Sequence, residues 1–214
     1  MKKKSKIAIV DYGVGNLRSL VRAFEHFKSD IHITEDSGDL SESTGIVLPG
    51  DGAFAAGMNG LMVRGLKQAV VDFAESKRPI LGICLGAQIL MSVGYEFGRH
   101  RGLGFIEGKV VRFGKINEKI PQIGWNQIEV PPGKNWKNSI LDKIKPGANV
   151  YFIHSYIIEP ADKKNVLSVT TYGGCNFASS IRKNNIFGCQ FHPEKSGNIG
   201  LAIIKNFIEL CLKD

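Results

Sequence analysis

Cysteine is scarce in this sequence: Cys84, Cys175, Cys189 and Cys211 are the only four among 214 residues. No two stand in the C-x-x-C spacing of a zinc site or a redox pair, so neither chemistry has support, and no metal is expected. Hydrophobic residues make up 43% of the chain, enough to fill a core without disulfide staples. Cys175, Cys189 and Cys211 therefore read as packing residues. Long apolar runs are missing too: no stretch approaches the roughly 18 apolar residues of a membrane span. Lys2, Lys3 and Lys4 precede a strand-like segment rather than the apolar region of a signal peptide, so a cytoplasmic protein is expected. Acidic residues are in deficit, 20 Asp and Glu against 28 Lys and Arg, for a formal net charge of +8. No nucleic-acid-binding module accompanies this charge, and no stripe of interleaved aromatic and basic residues, so nucleic acid is not the expected partner. Part of the excess sits in the lysines at 2, 3, 4 and 6, which read as a solvated tail; the rest suits an acidic partner. Repeats, low-complexity linkers, a phosphate loop and a second catalytic domain are all absent, which leaves one domain spanning 1–214.

What is present in the first half is an alternation of strands and helices. Lys6–Val10 is a short apolar run broken by Asp11-Tyr12-Gly13-Val14-Gly15-Asn16, after which Leu17, Leu20, Val21, Phe24 and Phe27 recur at helical spacing. Ile31–Thr34, Gly45–Leu48 and Pro79–Ile83 read as further strands, and roughly Gly60–Ser76 and Leu85–Val93 as helices. Continuous apolar strands separated by helices predict a parallel sheet covered on both faces. Beyond residue 100, Leu103–Phe113, Trp125–Val130, Val150–Ile153, Val166–Thr171, Phe177–Arg182 and Ile186–Phe191 are strand-like and separated by turns. A closing helix carries Leu201, Ile204, Phe207, Ile208 and Cys211 on its buried stripe. The expected fold is α/β, a mostly parallel central sheet with added antiparallel strands.

The sharpest local feature is Gly82-Ile83-Cys84-Leu85-Gly86, where a buried strand meets a helix through one residue framed by glycines. That is the pattern of a nucleophile elbow, and the helix N-terminus behind Cys84 favours its thiolate. An inert buried cysteine beside two packing glycines is the plainer alternative. Over a hundred residues later Phe191-His192-Pro193-Glu194 follows an apolar strand. In an extended segment residues two apart share a side, so His192 and Glu194 can act as a base and the carboxylate that orients it. Alone, the pair reads as surface polars at a strand end. Pro49-Gly50-Asp51-Gly52 ends another strand, where open parallel sheets place their sites, and its free N–H groups together with that of Leu85 could receive an oxyanion. A plain turn is the other reading of that segment.

Gly82–Gly86 with Ala87-Gln88, Pro49–Gly52 and Gln190–Glu194 together resemble the class I glutamine amidotransferases. Asp11–Leu17, Gly124-Trp125-Asn126, Phe152–Tyr156 and His192–Gly197 further resemble the branch of that family formed by glutaminase subunits of imidazole glycerol phosphate synthases, in order from Lys6 to about Leu212. The resemblance implies a flavodoxin-like three-layer sandwich and no cofactor. It implies a Cys84–His192–Glu194 triad, oxyanion donors at Leu85 and the Asp51–Gly52 segment, and a glutamine site at Gln88, Glu96, Ser155 and Tyr156. It also implies a heterodimer with a (β/α)8-barrel cyclase that receives the ammonia, docked near Trp125, Tyr151 and Lys195. Buried aromatics and a solvated lysine are the alternative at those three positions, and solvent-facing helix polars at Gln88 and Glu96.

Two departures from the family pattern stand out. Asp51 occupies the oxyanion segment where valine is usual, and a carboxylate there is harmful unless it points away. Pro121-Gln122-Ile123 stands where Pro-His-Met is frequent. These leave open a paralogue that supplies ammonia to an N-acetyl sugar amidotransferase of surface polysaccharide synthesis. A cysteine peptidase on a similar fold is a further rival, against which Gln88 and the His-Pro-Glu segment argue, and an intact triad argues against a non-enzymatic relative.

Overall fold

The computed structural model describes residues 6–213, so the lysines at 2–4 lie outside the described residues. In chain order the elements are β1 (Lys6–Val10), α1 (Leu17–Glu25), β2 (Asp30–Thr34), α2 (Ser37–Glu42), β3 (Gly45–Leu48), α3 (Phe54–Val63), α4 (Leu66–Glu75), β4 (Ile80–Ile83) and α5 (Leu85–Ile89). There follow β5 (Met91–Gly94), β6 (His100–Arg101), β7 (Ile106–Arg112), β8 (Gln122–Ile128), β9 (Ala148–His154), β10 (Tyr156–Pro160), β11 (Val166–Tyr172), β12 (Cys175–Lys183), β13 (Ile186–Cys189) and α6 (Gly197–Cys211).

Strand periodicity explains the layering. Ile7 and Ile9 enter one core while Ala8 and Val10 enter the other, and Val47 separates from Ile46 and Leu48 in the same way. Strands β1 and β3 are therefore apolar on both faces and must be covered on both. Leu20 and Phe24 of α1 pack with Ile204 and Phe207 of α6 on one side, the Phe24 and Phe207 rings meeting edge to face at 6.3 Å. Leu61 of α3, Val70 and Phe73 of α4 and Ile89 of α5 cover the other. The main sheet runs β2-β1-β3-β4-β13-β12-β10-β7-β5-β6, with β11 beside β12. From β2 to β13 the pairings are parallel, and β12, β10, β7 and β11 add the antiparallel part. The β8–β9 ribbon stands apart as a second, two-stranded sheet.

Several elements differ from the sequence expectations. The helix expected over Gly60–Ser76 is two helices, because Gly65 takes a left-handed φ of +68° and turns the chain between α3 and α4. The helix expected over Leu85–Val93 ends at Ile89. Met91–Gly94 is instead a strand parallel to β7, which gives its backbone the sheet partners a longer helix would forgo. Strand β10 ends in Pro160, and its pairing partners β7 and β12 are remote in sequence. Helix α2 is six mostly polar residues anchored by Leu40 and capped by Asp36, whose Oδ1 accepts from Gly38 N at 2.6 Å.

Candidate active site

Three neighbouring strands, β3, β4 and β13, end on the same edge of the sheet. The segments that follow them carry Pro49–Gly52, Cys84 and His192, so residues far apart in sequence meet because their strands are parallel neighbours. Cys84 sits at the bend between β4 and α5 with φ +49° and ψ −106°, a conformation that side-chain-bearing residues rarely adopt. Its backbone continues the sheet ladder, Cys84 N donating to Cys189 O at 2.7 Å. The two framing glycines are required by contact. A Cβ on Gly86 would lie 1.9 Å from Leu48 O, and one on Gly82 would lie 2.6 Å from the Gly86 carbonyl. Helix α5 is only five residues long and fully buried.

His192 is buried, and its Nδ1 pairs with Glu194 Oε1 at 2.7 Å. The extended segment expected from sequence is not what joins them: Pro193–Lys195 forms one 3-10 turn, which brings the carboxylate back onto the ring. Burial alone would lower the His192 pKa, but the Cys84 thiol and the Glu194 carboxylate outweigh it and raise it to about 10. The second ring nitrogen, Nε2, is buried without a hydrogen bond of ordinary geometry. Cys84 Sγ lies instead 3.7 Å from Ile153 O and 3.7 Å from Gln190 Nε2. Asp51 does not point away from this centre. Its Oδ1 lies 3.7 Å from His192 Nε2, and Oδ2 accepts from Asn16 N at 3.2 Å.

A cavity of about 290 Å³ opens beside the sulfur, lined by Asp51, Gly52, Cys84, Gln88, Glu96 and Tyr156, and further by Ser155 and the β9 end. Leu85 is buried next to Cys84. Gln88 follows Cys84 by one turn, its N–H bonded to Cys84 O at 3.0 Å, and it is buried rather than solvent-facing. Both of its amide hydrogens are committed, to Tyr156 O at 3.2 Å and Gln190 Oε1 at 3.3 Å, so only its Oε1 remains to meet a donor in the cavity. Glu96 lies beyond β5 rather than on a helix, and its Oε2 accepts from Phe54 N at 2.7 Å, closing the start of α3. The sequence-predicted residues on this edge are thus brought together. Gln190, His154 and Gln122 were not anticipated as site residues, although Gln190 and His154 stand inside the quoted motifs.

Trp125 and Tyr151 are cross-strand partners on the β8–β9 ribbon, with rings 6.2 Å apart. Trp125 is 58% exposed and Ile123 59%, which rules out the core reading for Trp125. The ribbon reaches the site directly: His192 N donates to Tyr151 O at 2.9 Å, and Ile153 O faces the sulfur. Lys195 is half-buried in the turn after His192. Cys189 and Cys211 are buried and Cys175 half-buried, in keeping with packing roles. Among the described residues no helix is long and apolar enough to cross a membrane.

Comparison with known proteins places this geometry. The chain is 42% identical over 213 residues to "Imidazole glycerol phosphate synthase subunit HisH 1" of Legionella pneumophila (strain Lens), an alignment covering 96% of this chain and all of that protein. It is 43% identical over 208 residues to "Imidazole glycerol phosphate synthase subunit HisH" of Methanosarcina mazei, covering 96% of this chain and 99% of the relative. PurLQS from Thermotoga maritima shares the fold, with a TM-score of 0.72 at 19% identity over 97% of this chain and 99% of that one. The family model "Glutamine amidotransferase class-I" matches residues 8–210, nearly the whole span, and the chain belongs to that family.

Proposed function

We propose that this chain is the glutaminase subunit of an imidazole glycerol phosphate synthase, releasing ammonia from glutamine for a cyclase subunit of (β/α)8-barrel fold within a cytoplasmic heterodimer. The names of its relatives support this reading over sugar amidation. What supports the chemistry is Cys84 at the strand–helix bend lining the cavity, with His192 buried near it and held through Nδ1 by Glu194 Oε1 at 2.7 Å.

In the proposed cycle His192 Nε2 takes the Cys84 proton, and the sulfur attacks the carboxamide carbon of glutamine. The oxygen of the tetrahedral intermediate is received by the backbone N–H of Leu85 and by the Asp51–Gly52 segment. His192 then protonates the departing nitrogen, ammonia leaves, and a glutamyl thioester remains. Water attacks the thioester as His192 takes its proton, and glutamate departs with the thiol restored. Glu194 fixes the imidazole tautomer. The Oε1 of Gln88 and the carboxylate of Glu96 hold the substrate ammonium, and the Ser155–Tyr156 backbone its carboxylate. Asp51 conflicts with this scheme as it stands, because its carboxylate faces His192 where negative charge must develop. That segment must turn before the hole works, which makes slow turnover by the isolated subunit an expected property. Free ammonia protonates in neutral water, so transfer through a closed interface protects it.

Co-purification of the cyclase and assay of glutamine-dependent turnover with the phosphorylated ribulose intermediate tests the proposal. Glutamate formation coupled to cyclised product supports it, and a complex that forms no glutamate sinks it. The exposed Trp125 face gives a second test. Trp125→Ala is expected to weaken the complex about 30-fold, in the range of an aromatic anchor, with kcat at saturating partner unchanged; titration calorimetry reads the affinity.

Glu194→Gln is expected to reduce kcat about a hundredfold less severely than loss of Cys84. It also has a pH signature. The His192 pKa is raised from 6.5 to about 10, so its stabilising contribution is complete below 6.5 and disappears as pH rises through about 10. Removing the carboxylate lowers that midpoint and makes the alkaline loss of stability shallower. An NMR titration of the His192 ring unchanged by the substitution would remove Glu194 from its orienting role.

A further inference from the structure

The Gln190 side chain is fully buried beside the nucleophile and has no part in the cycle above. Its orientation is fixed by its neighbours. Tyr156 O can only accept, so the Gln88 atom 3.2 Å away is the amide nitrogen. That nitrogen's other hydrogen meets Gln190 at 3.3 Å, so Gln190 presents Oε1 there. The opposite end, Nε2, therefore faces Cys84 Sγ at 3.7 Å as a donor. Turning the amide over would set two donors against each other and point a carbonyl at the sulfur. The anchor of this chain is equally constrained. Tyr156 O also accepts from His154 Nδ1 at 2.9 Å. Burial keeps that imidazole neutral, with its pKa pushed down to about 4, and the Gln122 carboxamide lies 3.1 Å from the remaining nitrogen, on the ribbon that bears Trp125.

We propose that Gln190 is a positioning residue for the nucleophile, donating a hydrogen bond to Cys84 Sγ while its carbonyl holds Gln88 in the orientation that meets substrate. One carboxamide thereby ties the group that attacks glutamine to the group that binds its amino-acid end. The donor counts most when the sulfur is a thiolate, since hydrogen bonds to charged atoms are the stronger ones. The sulfur's other neighbours are Ile153 O at 3.7 Å and His192 backed by Glu194. The nearby charged or titratable groups are Tyr12, whose hydroxyl donates to Pro49 O, and Asp51, which faces His192. None of them is a side-chain hydrogen-bond partner of Gln190, whose contacts are to Gln88 and Cys84. The assignment rests on the glutaminase reading for its catalytic meaning, but the contact itself does not.

Two substitutions separate the halves of the role. Gln190→Met keeps the length and removes both bonds; Gln190→Glu keeps an acceptor for Gln88 and loses the donor. The pH dependence of Cys84 alkylation by iodoacetamide is measured on the free subunit, and kcat and KM for glutamine on the complex. Both variants should move the alkylation midpoint upward by about one pH unit and lower kcat about 10- to 100-fold. Only Gln190→Met should also raise KM, because it alone releases Gln88. Near-UV circular dichroism confirms the folded state, and the carboxylate variant serves if the methionine variant does not fold. Alkylation midpoints equal to wild type in both variants would overturn the proposal. A wild-type complex that fails to hydrolyse glutamine would instead overturn the glutaminase reading, since alkylation requires no substrate.

Discussion

Cys84→Ser is expected to abolish glutamine hydrolysis, by about 10⁴-fold or more, with binding to the cyclase partner retained. The argument begins with the backbone. Residue 84 is held at φ +49° at the end of β4, with its N–H on Cys189 O, so the side chain is projected from the sheet edge by main-chain contacts that serine preserves. What serine lacks is the acidity and nucleophilicity of the thiol, which a raised-pKa imidazole can exploit at neutral pH. The same logic makes the loss non-additive. His192→Asn should be nearly as damaging as the serine variant, and the double variant no worse than either, because the two groups perform one proton transfer and attack. Residual turnover above about one per cent in the serine variant would show that the sulfur is not the attacking atom.

The proposed triad was legible because its chemistry demands rare residue types in tight local patterns. Gly82–Gly86 announces a bend that nothing bulkier fits, and His192 with Glu194 stands directly after an apolar strand. The parallel core was legible for a similar reason, since both faces of β1, β3 and β4 are buried and their sequences are apolar after the opening Lys6 of β1. Features settled by distant partners were not. Met91–Gly94 becomes a strand because β7 lies beside it, and β10 gains its place from β7 and β12. The break at Gly65 falls inside the helix expected over Gly60–Ser76, since a single glycine in a helical pattern does not by itself mark a stop. From sequence Asp51 was compatible with an oxyanion site only if it pointed away, and its carboxylate instead lies toward His192, with Asn16 N–H on its other oxygen. Gln190 gave no separate signal, because a buried glutamine declares a role only when its partners are known.

Gly86→Ala carries the largest expected effect on stability. The new Cβ would lie 1.9 Å from Leu48 O and 3.1 Å from Pro49 O, both backbone atoms at the end of β3, so no side-chain rotation relieves the contact. Either α5 tilts or the end of β3 moves, and α5 has no freedom of its own, being enclosed on every side. Overpacking against fixed backbone costs about 3 kcal/mol or somewhat more, which for a domain of this size lowers the melting temperature by about 6–12 °C. Because Leu48 leads directly into Pro49–Gly52, the same displacement separates the proposed oxyanion donors from Cys84. Activity should therefore fall further than stability alone accounts for at temperatures where the variant is fully folded. Gly114→Ala is the matched control, since a Cβ there meets nothing within 4 Å; it should change stability by less than about 0.5 kcal/mol. Equal melting of the two variants would mean that the elbow does not pack against the end of β3 as closely as the geometry requires, and the placement of Pro49–Gly52 beside the sulfur would fall with it.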